Sequence, residues 1–335
     1  MWIALLVPVG LGGLILVHEF GHAVAARLAG LSVLDFSLGL GPSFARLRWG
    51  STTIRFGVIP FGGFVRVAEL EPGVEGADRF RPRSVVGRLL VTLAGPLANY
   101  LVAAMLAAAV AAGWGVDTGR VIGLQVTATG EHGAAAGLQV GDVVVAVGER
   151  HIERVADLAP AFGATGGGPA QLRVLRDGRP VELVAQPIRS NGRWGLGARY
   201  AVLPDLQPVQ PPGALAAGLA YPVERSIELL RNAASMLAPN TGVRPVSAVG
   251  LADRVSRAGA WDARRVLALL ALLSVVVGLF NLLPLPGLDG GRAVLEVVEA
   301  ARRRRLPARW AIGIQVAGGV VLLGLWLVLG MTELL

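Results

Sequence analysis

The 335-residue sequence has no cysteine, and only 16% of its residues are charged. Without cysteine there is neither a disulfide nor a thiol nucleophile, and the redox compartment cannot be inferred. Soluble domains carry about a quarter charged residues. The lower charged fraction here, together with a mean hydropathy of +0.60, indicates a membrane protein. The formal net charge of +8 is carried by arginine without any lysine. These arginines cluster beside apolar segments with few aromatics between them, which favours topology signals and contacts with anionic lipids over nucleic-acid binding.

An H-E-x-x-H motif, His18-Glu19-Phe20-Gly21-His22, lies inside the first apolar run. On a helix the two histidines are about 40° apart around the axis and one turn apart along it, so both imidazoles can reach one metal ion. Glu19 then projects to the side where an attacking water would lie, which is the arrangement of a zinc hydrolase. Such residues are costly in an apolar segment and seldom occur there without a function. A soluble helix with histidines satisfied in a core is the alternative.

Four segments are long enough to cross a bilayer, for which about twenty apolar residues are needed. They are Trp2–Leu28, Leu89–Trp114, Val266–Leu285 and Trp310–Leu329. The first and third connections are rich in arginine, so the positive-inside rule places both in the cytoplasm. The middle region and both termini then face outward. Because the N-terminal run has no basic n-region and no convincing cleavage site, we expect a retained helix and not a removed signal peptide.

A β-rich segment, Ser51–Val67, lies between the first two spans and is too short and too broken to cross a membrane. Its turn is marked by Pro60, Gly62 and Gly63, and the expected substrate contacts of this segment are Pro60, Phe61, Gly62 and Gly63. This pattern predicts a hairpin that dips toward the metal and offers a free edge to an extended peptide. A hairpin that merely packs at the membrane interface is the alternative.

Residues 121–188 contain short alternating apolar runs separated by glycine-rich turns, which is typical of a small β domain. Gly137 to Val144 resembles a stretch of the PDZ domains of bacterial membrane and periplasmic proteases. Because PDZ domains accept peptides by strand addition, we expect a groove beside a short helix within Arg150–Ala161. The groove residues are expected to be Gly137, Leu138, Gly141 and Asp142. A β-rich spacer without a ligand is the alternative.

The segment after this domain begins with a proline-rich linker, Pro204–Pro212. Ala214–Leu237 then interleaves four charged residues with leucine, isoleucine and valine. The pattern predicts an amphipathic helix on the outer membrane surface. A crossing at this point would make the number of spans odd, and it is the main topological alternative.

A catalytic zinc needs a third protein ligand and one open position. Asp289 is the acidic residue nearest the end of the third span, and it follows two prolines that break the helix. Alone it would be read as a helix cap, but together with His18 and His22 it is the expected third ligand. Asn99 in the second span is a buried polar group that can contact substrate or join two helices.

These motifs together resemble the site-2 proteases, the polytopic zinc proteases of regulated intramembrane proteolysis, in the bacterial subgroup with a PDZ domain. Five segments carry the resemblance, in family order: His18–His22, Gly39–Pro42, Ile59–Phe64, Ala94–Asn99 and Asn281–Gly291. The resemblance implies that His18, His22 and Asp289 bind one Zn²⁺ and that Glu19 is catalytic. It also implies that Asn281 and Asn99 contact the substrate strand. The implied substrates are single-span membrane proteins, such as anti-sigma factors or remnant signal peptides.

We therefore expect a polytopic α-helical membrane protein with four transmembrane helices, a membrane-associated β-hairpin and an inserted β-rich PDZ domain. The expected domains are a membrane core at 1–116, the PDZ domain at 117–190, a linker with an interfacial helix at 191–260 and a second membrane core at 261–335. The expected location is the cell membrane, with the site near the cytoplasmic side and the PDZ domain outside. The competing classes are a non-catalytic PDZ-bearing adaptor and a transporter. The complete ligand set argues against the first, and the concentration of charge at one locus against the second.

Overall fold

The computed structural model describes residues 3–68, 85–190, 193–236, 262–304 and most of 306–324. The chain divides into two compact units. The first unit comprises Met1–Val110, Leu215–Ala252 and Arg265–Leu335, and the second comprises Ala111–Ala214 with Asp253–Arg264.

In chain order the helices and strands are α1 (Ile3–Leu28), β1 (Val33–Trp49), β2 (Thr52–Val67), α2 (Val85–Trp114), β3 (Val116–Ala128), α3 (Glu131–Ala135), β4 (Val143–Val147), β5 (Arg150–His151), α4 (Val155–Gly163), β6 (Ala170–Arg176), β7 (Arg179–Ala185), β8 (Ile188–Ser190), β9 (Arg193–Gly195), β10 (Arg199–Gln207), α5 (Pro211–Met236), α6 (Ala263–Leu282), α7 (Asp289–Arg302) and α8 (Ile312–Val321). The long helices α1, α5 and α6 belong mainly to the first unit, and strands β3 to β10 belong to the second.

Three helices in the described part are long and apolar enough to cross a membrane: Val9–Leu28 within α1, α2 and α6. They correspond to the first three predicted spans. The fourth predicted span, Trp310–Leu329, is represented by the shorter apolar helix α8, and its remainder lies largely outside the described residues. The count of four spans therefore stays a prediction.

Small residues allow the membrane helices to approach closely. A methyl group at Gly21 of α1 would lie 2.5 Å from the Ala94 carbonyl oxygen of α2, so glycine is required where these helices cross. On the other side of α2, the Ser274 hydroxyl of α6 donates a hydrogen bond to the Asn99 carbonyl oxygen at 2.8 Å. Helices in a membrane associate through close backbone packing and hydrogen bonds of this kind, because the hydrophobic effect does not drive their association in lipid. These contacts fix α1 and α6 against one helix, α2.

Helix α5 packs along the middle of α2, where the sequence had predicted a helix on the outer membrane surface. A methyl group at Gly218 would lie 2.6 Å from the Ala104 carbonyl oxygen, and the hydroxyls of Tyr100 and Ser226 share a hydrogen bond of 2.6 Å. An ion pair between Arg225 and Glu228 neutralises charge within the helix. Self-paired charge and a glycine contact thus let α5 lie against a candidate span. Its placement at the outer membrane surface stays a prediction.

The predicted hairpin is part of a larger sheet. β2 pairs with β1, a strand that the sequence analysis left unassigned, and the register bends so that Asp35 pairs with both Arg66 and Thr53. The buried Asp35 carboxylate accepts hydrogen bonds from Arg55 at 2.8 Å and Arg66 at 3.0 Å. Two arginines on β2 thus hold both halves of that strand to the first part of β1. The predicted turn is present as a bend near Gly62, whose φ is +88°.

The second unit contains a mostly antiparallel sheet whose main path runs β10-β3-β4-β6-β7, with β5 paired to β4. Fourteen buried residues, among them Leu124, Val144, Phe162 and Leu172, form its hydrophobic core. β10 pairs with β3 along most of its length, so the sheet includes a strand beyond residue 190. The domain bounds 117–190 stay a prediction.

Candidate metal centre

Three potential metal ligands converge in the first unit. His18 and His22 lie one turn apart on α1, with ring centroids 4.9 Å apart, and Asp289 is the first residue of α7. The Asp289 Oδ2 atom lies 2.9 Å from His18 Nε2 and 3.2 Å from His22 Nε2. The two Nε2 atoms are 3.3 Å apart. The structure therefore brings together the three side chains that the sequence predicted as ligands.

These separations are close to those of a tetrahedral zinc site. Metal–ligand bonds of about 2.0–2.2 Å give tetrahedral edges of about 3.3–3.6 Å. The three ligand atoms need to move apart by only a few tenths of an ångström to meet that geometry. All three offer a nitrogen or carboxylate oxygen of the kind zinc binds.

The hydrogen bond of His22 leaves the nitrogen facing the centre free to bind a metal. Its Nδ1–H donates to the Val91 carbonyl oxygen of α2 at 2.8 Å. In the neutral tautomer that this bond selects, the Nε2 lone pair points toward His18 and Asp289. With no proton on that nitrogen, it offers a lone pair beside those of His18 and Asp289, which is the arrangement that a metal ion bound between them would require.

Glycine at position 95 provides the space for this centre. A methyl group there would lie 2.8 Å from His18 Nε2 and closer still to His22 Nε2. The backbone of α2 therefore passes directly beside both imidazoles, and any larger residue would occupy the region between them. The cradle and the donor set both fit a metal ion.

The electrostatics of the third ligand agree with metal binding. Burial of the Asp289 carboxyl acts to raise its pKa, but its contacts with the imidazoles of His18 and His22 outweigh that effect and hold the pKa well below its usual range. Asp289 is therefore ionised at neutral pH, as a metal-binding carboxylate must be.

Glu19 lies beside the centre and is held by the sheet. The backbone N–H of Val65 in β2 hydrogen-bonds its carboxylate, and a methyl group at Gly63 would lie 3.5 Å from its Cγ. A cavity of about 210 Å³ opens here, lined by Glu19, the three ligand side chains, Asn281 and Arg292 among others. There is room beside the ligands for a water molecule and part of a peptide.

The other predicted substrate contacts are only partly assembled. Asn281 lines the cavity, while its Nδ2 donates to the Val277 carbonyl oxygen at 3.0 Å. Asn99 is fully buried, and among the described residues its side-chain nitrogen and oxygen have no hydrogen-bond partner. Asn99 is absent from the described lining of this cavity. The side chains of Pro60 and Phe61 lie outside the described part, and Gly62 lines a separate cavity of about 220 Å³.

Two of the residues predicted to form a peptide groove, at Gly137, Leu138, Gly141 and Asp142, have side chains with contacts inside the domain. Leu138 is 2% exposed and belongs to the core. Asp142 accepts hydrogen bonds from the Arg176 guanidinium at 2.8 Å and from the Gln139 N–H at 2.8 Å. Leu138 and Asp142 thus contribute to the core and to a turn of the domain, and the peptide groove at these residues stays a prediction.

Four residues around the centre were given no role there from the sequence: Val91, Thr92, Arg292 and Glu296. Gly95 belongs to the Ala94–Asn99 segment and precedes a proline inside an apolar span, but its position beside the imidazoles was not predicted. The other four act through backbone or long-range contacts that leave no local pattern.

A comparison with protein families now bears on this geometry. The family model described as "Peptidase family M50" matches residues 6–325. The chain belongs to peptidase family M50. As an M50 protein it is a zinc metalloprotease of the site-2 protease type, and its three apolar helices are those of a membrane protein.

Relatives of this M50 protease span nearly its whole length. "Zinc metalloprotease Rip1" of Mycolicibacterium smegmatis is 30% identical over 95% of this chain and 88% of its own length. A protein of Clostridium perfringens named "Putative zinc metalloprotease" is 26% identical over 96% of this chain and 95% of its own. A protein of the same descriptive name in a Nostoc species is 29% identical over 96% and 92%.

Proposed function

We propose that this protease hydrolyses peptide bonds inside transmembrane segments of single-span membrane proteins, with zinc held by His18, His22 and Asp289 and with Glu19 as general base. The observation that carries the proposal is the convergence of three metal-ligating atoms from opposite ends of the chain within 4.8 Å of one another. The substrate classes that we propose are anti-sigma factors and remnant signal peptides left in the membrane.

Each residue of the site has a defined role in this mechanism. When bound, zinc supplies Lewis-acid chemistry that acidifies water and polarises a carbonyl group. Glu19 accepts the proton of the attacking water and returns it to the leaving amine. The N–H of Val65 holds the Glu19 carboxylate in place, and the Val91 carbonyl holds His22 in its metal-binding tautomer.

Substrate presentation is assigned to the last part of β2. In the described register, residues 63–67 pair with β1 on one side only, and Phe64 and Val65 line the cavity. A transmembrane helix must unwind before attack, because its carbonyls are hydrogen-bonded within the helix. Strand addition to this edge would replace some of the lost hydrogen bonds. Asn281 contacts the same extended strand, and for Asn99 a structural contact between helices remains the alternative.

The second unit is proposed to be a PDZ domain that binds a peptide by strand addition. β10 ends the main path of the sheet, and Gly195-Leu196-Gly197 leads into it. A peptide can therefore add to the sheet at β10. The Leu138 and Asp142 side chains of the expected groove have contacts inside the domain. The unit is placed on the outer side of a four-span cell-membrane protein, with the zinc site near the cytoplasmic side and arginines at anionic lipids.

Replacement of Glu19 tests the mechanism. Glu19→Gln should retain wild-type zinc content, because Glu19 is not a ligand, while the cleavage rate falls about 10²- to 10⁴-fold, the usual contribution of a general base. The measurement is cleavage of a model transmembrane substrate by purified protein in detergent. Glu149→Gln, an exposed carboxylate in the second unit, is the control. Cleavage by Glu19→Gln at the wild-type rate would contradict the role of the base.

A further inference from the structure

Helix α7 carries the third ligand but offers little apolar surface by which to dock. Its buried residues are Gly290, Gly291 and Glu296, whereas Val294, Val297 and Val298 are 46%, 49% and 38% exposed. Beyond the first turn, the buried position of this helix is therefore occupied by a carboxylate, which is 7% exposed. A buried carboxylate is costly, and an apolar side chain of similar volume would commonly stabilise a fold as well or better. Stability alone does not account for a glutamate here.

Glu296 joins α7 to the turn of α2 that shapes the metal centre. The Thr92 hydroxyl, itself 2% exposed, donates a hydrogen bond to Glu296 Oε1 at 3.0 Å. Thr92 follows Val91, whose carbonyl fixes the tautomer of His22. It also precedes, by one turn, Gly95, which gives the imidazoles their space. One turn of α2 thus contacts two ligands directly and the helix of the third through Glu296.

The charges around Glu296 keep this contact polar. The cations that act on its carboxyl group are Arg292 of α7 and Arg88 of α2, and the carboxylate of Glu299 acts on it in the opposite sense. Arg292 Nε lies 3.8 Å from Glu296 Oε1, and Arg292 also lines the cavity at the metal centre. The Glu296 carboxylate therefore interacts both with Thr92 of α2 and with Arg292, a cationic residue that lines the cavity.

The spacing of Asp289 and Glu296 makes the second an effective anchor for the first. Seven residues are about two turns, so the two side chains lie within about 20° of one another around the axis. If α7 turned by about 20°, a carboxylate about 6 Å from the axis would move by about 2 Å. Metal–ligand distances tolerate only about 0.2 Å. The contact with Thr92 fixes the rotation that the Asp289 carboxylate needs.

We propose that Glu296 is a positioning residue for the metal centre: through Thr92 it holds α7 so that Asp289 meets the two imidazoles. The proposal rests on the assignment of His18, His22 and Asp289 as zinc ligands. A positioning role differs from a purely structural role in what substitution of Glu296 or Thr92 changes. Metal affinity and ligand geometry should change, and not only the resistance of the protein to unfolding.

The test uses full-length protein in detergent, with zinc affinity measured by chelator competition and ligand geometry by the visible absorption of the Co²⁺ form. Thr92→Val, which is nearly isosteric, and Glu296→Leu should each weaken zinc binding about 10- to 100-fold, the usual effect of losing such a supporting contact. Both should also alter the Co²⁺ spectrum. Glu296→Gln should retain most of the affinity, because its amide oxygen can still accept from Thr92. The double variant Thr92→Val/Glu296→Leu should bind zinc no more weakly than whichever single variant has the lower zinc affinity, because both substitutions remove the same hydrogen bond.

Glu299→Gln is the control on the same helix: it removes a charge that acts on Glu296 but leaves the hydrogen bond from Thr92 intact, because Glu299 accepts from the Leu306 N–H at 3.0 Å. It should leave zinc affinity and the Co²⁺ spectrum unchanged. The proposal is overturned if Thr92→Val and Glu296→Leu bind both metals as wild type does, even if they unfold at lower temperature. If Asp289→Asn also keeps wild-type zinc affinity, the ligand assignment itself is wrong. If Asp289→Asn loses zinc while the other two keep it, only the positioning role fails.

Discussion

Replacing Gly95 by alanine should remove zinc from a protein that still folds. The new methyl carbon would lie 2.8 Å from His18 Nε2 and closer to His22 Nε2, against an ordinary contact of about 3.5 Å. The shortfall of about 0.7 Å or more exceeds the tolerance of about 0.2 Å on ligand distances. Since Gly95 is inside α2, alanine also gains up to about 1 kcal/mol of helix propensity. We expect zinc affinity to fall at least 100-fold with little loss of fold.

The assay is zinc content and chelator competition on purified protein, combined with thermal unfolding in the absence of zinc. Gly113→Ala is the matched control, because position 113 is on the same helix and a methyl group there meets nothing within 4 Å. Gly113→Ala should bind zinc as wild type does. Full zinc binding and cleavage by Gly95→Ala would refute the placement of the metal between the two imidazoles and α2.

Two further predictions concern the second unit and the metal. Burial raises the pKa of Asp142, but Arg176 and the Gln139 N–H outweigh it and hold this pKa below its ordinary value. The pair therefore stabilises the fold above about pH 3.9 and ceases to do so as the pH falls through the lowered pKa. Asp142→Asn should lower the unfolding temperature by several degrees at pH 7, and this difference from wild type should shrink as the pH falls below about 3.9, as followed by circular dichroism. Chelating zinc should lower wild-type stability by about 2.7 kcal/mol relative to free zinc at a hundredfold excess over its Kd, measured by thermal unfolding, and should not affect His18→Ala.

Matched measurements decide both predictions. Glu182→Gln changes an exposed carboxylate, 76% exposed in its side chain, and should leave the pH dependence of unfolding unchanged. A constant difference between Asp142→Asn and wild type from pH 7 to pH 3 would show that the charge of Asp142 is not the stabilising feature. Equal sensitivity of wild type and His18→Ala to chelation would show that zinc stabilises the protein from another site.

The clustering of His18, His22 and Asp289 was predictable because their sequence patterns are local. The four-residue spacing of His18 and His22 on a helix, and an aspartate directly after a proline break, are each legible in one segment. The three spans that the structure describes were predictable from the length of apolar runs for the same reason. The resemblance to the site-2 proteases, carried by five segments in family order, then related Asp289 to the two histidines although they lie far apart in the chain.

The supporting contacts could not be predicted, because they join residues far apart in sequence. The bonds of His22 to Val91 and of Thr92 to Glu296 span 69 and 204 residues, and no periodicity in either segment signals the partner. The contact of α5 with α2 could not be predicted for a related reason. It depends on the pairing of Arg225 with Glu228 and on the fit of Gly218 against α2, and the pattern of charged and apolar residues signals neither.

X-ray absorption at the zinc edge of the purified full-length protein tests the central claim most directly. The ligand assignment predicts two imidazole nitrogens and carboxylate oxygen at about 2.0–2.2 Å, with one imidazole lost in His18→Ala and the protein oxygen lost in Asp289→Ala. A zinc spectrum without imidazole scattering, or one that neither substitution changes, would contradict a metal centre built from His18, His22 and Asp289.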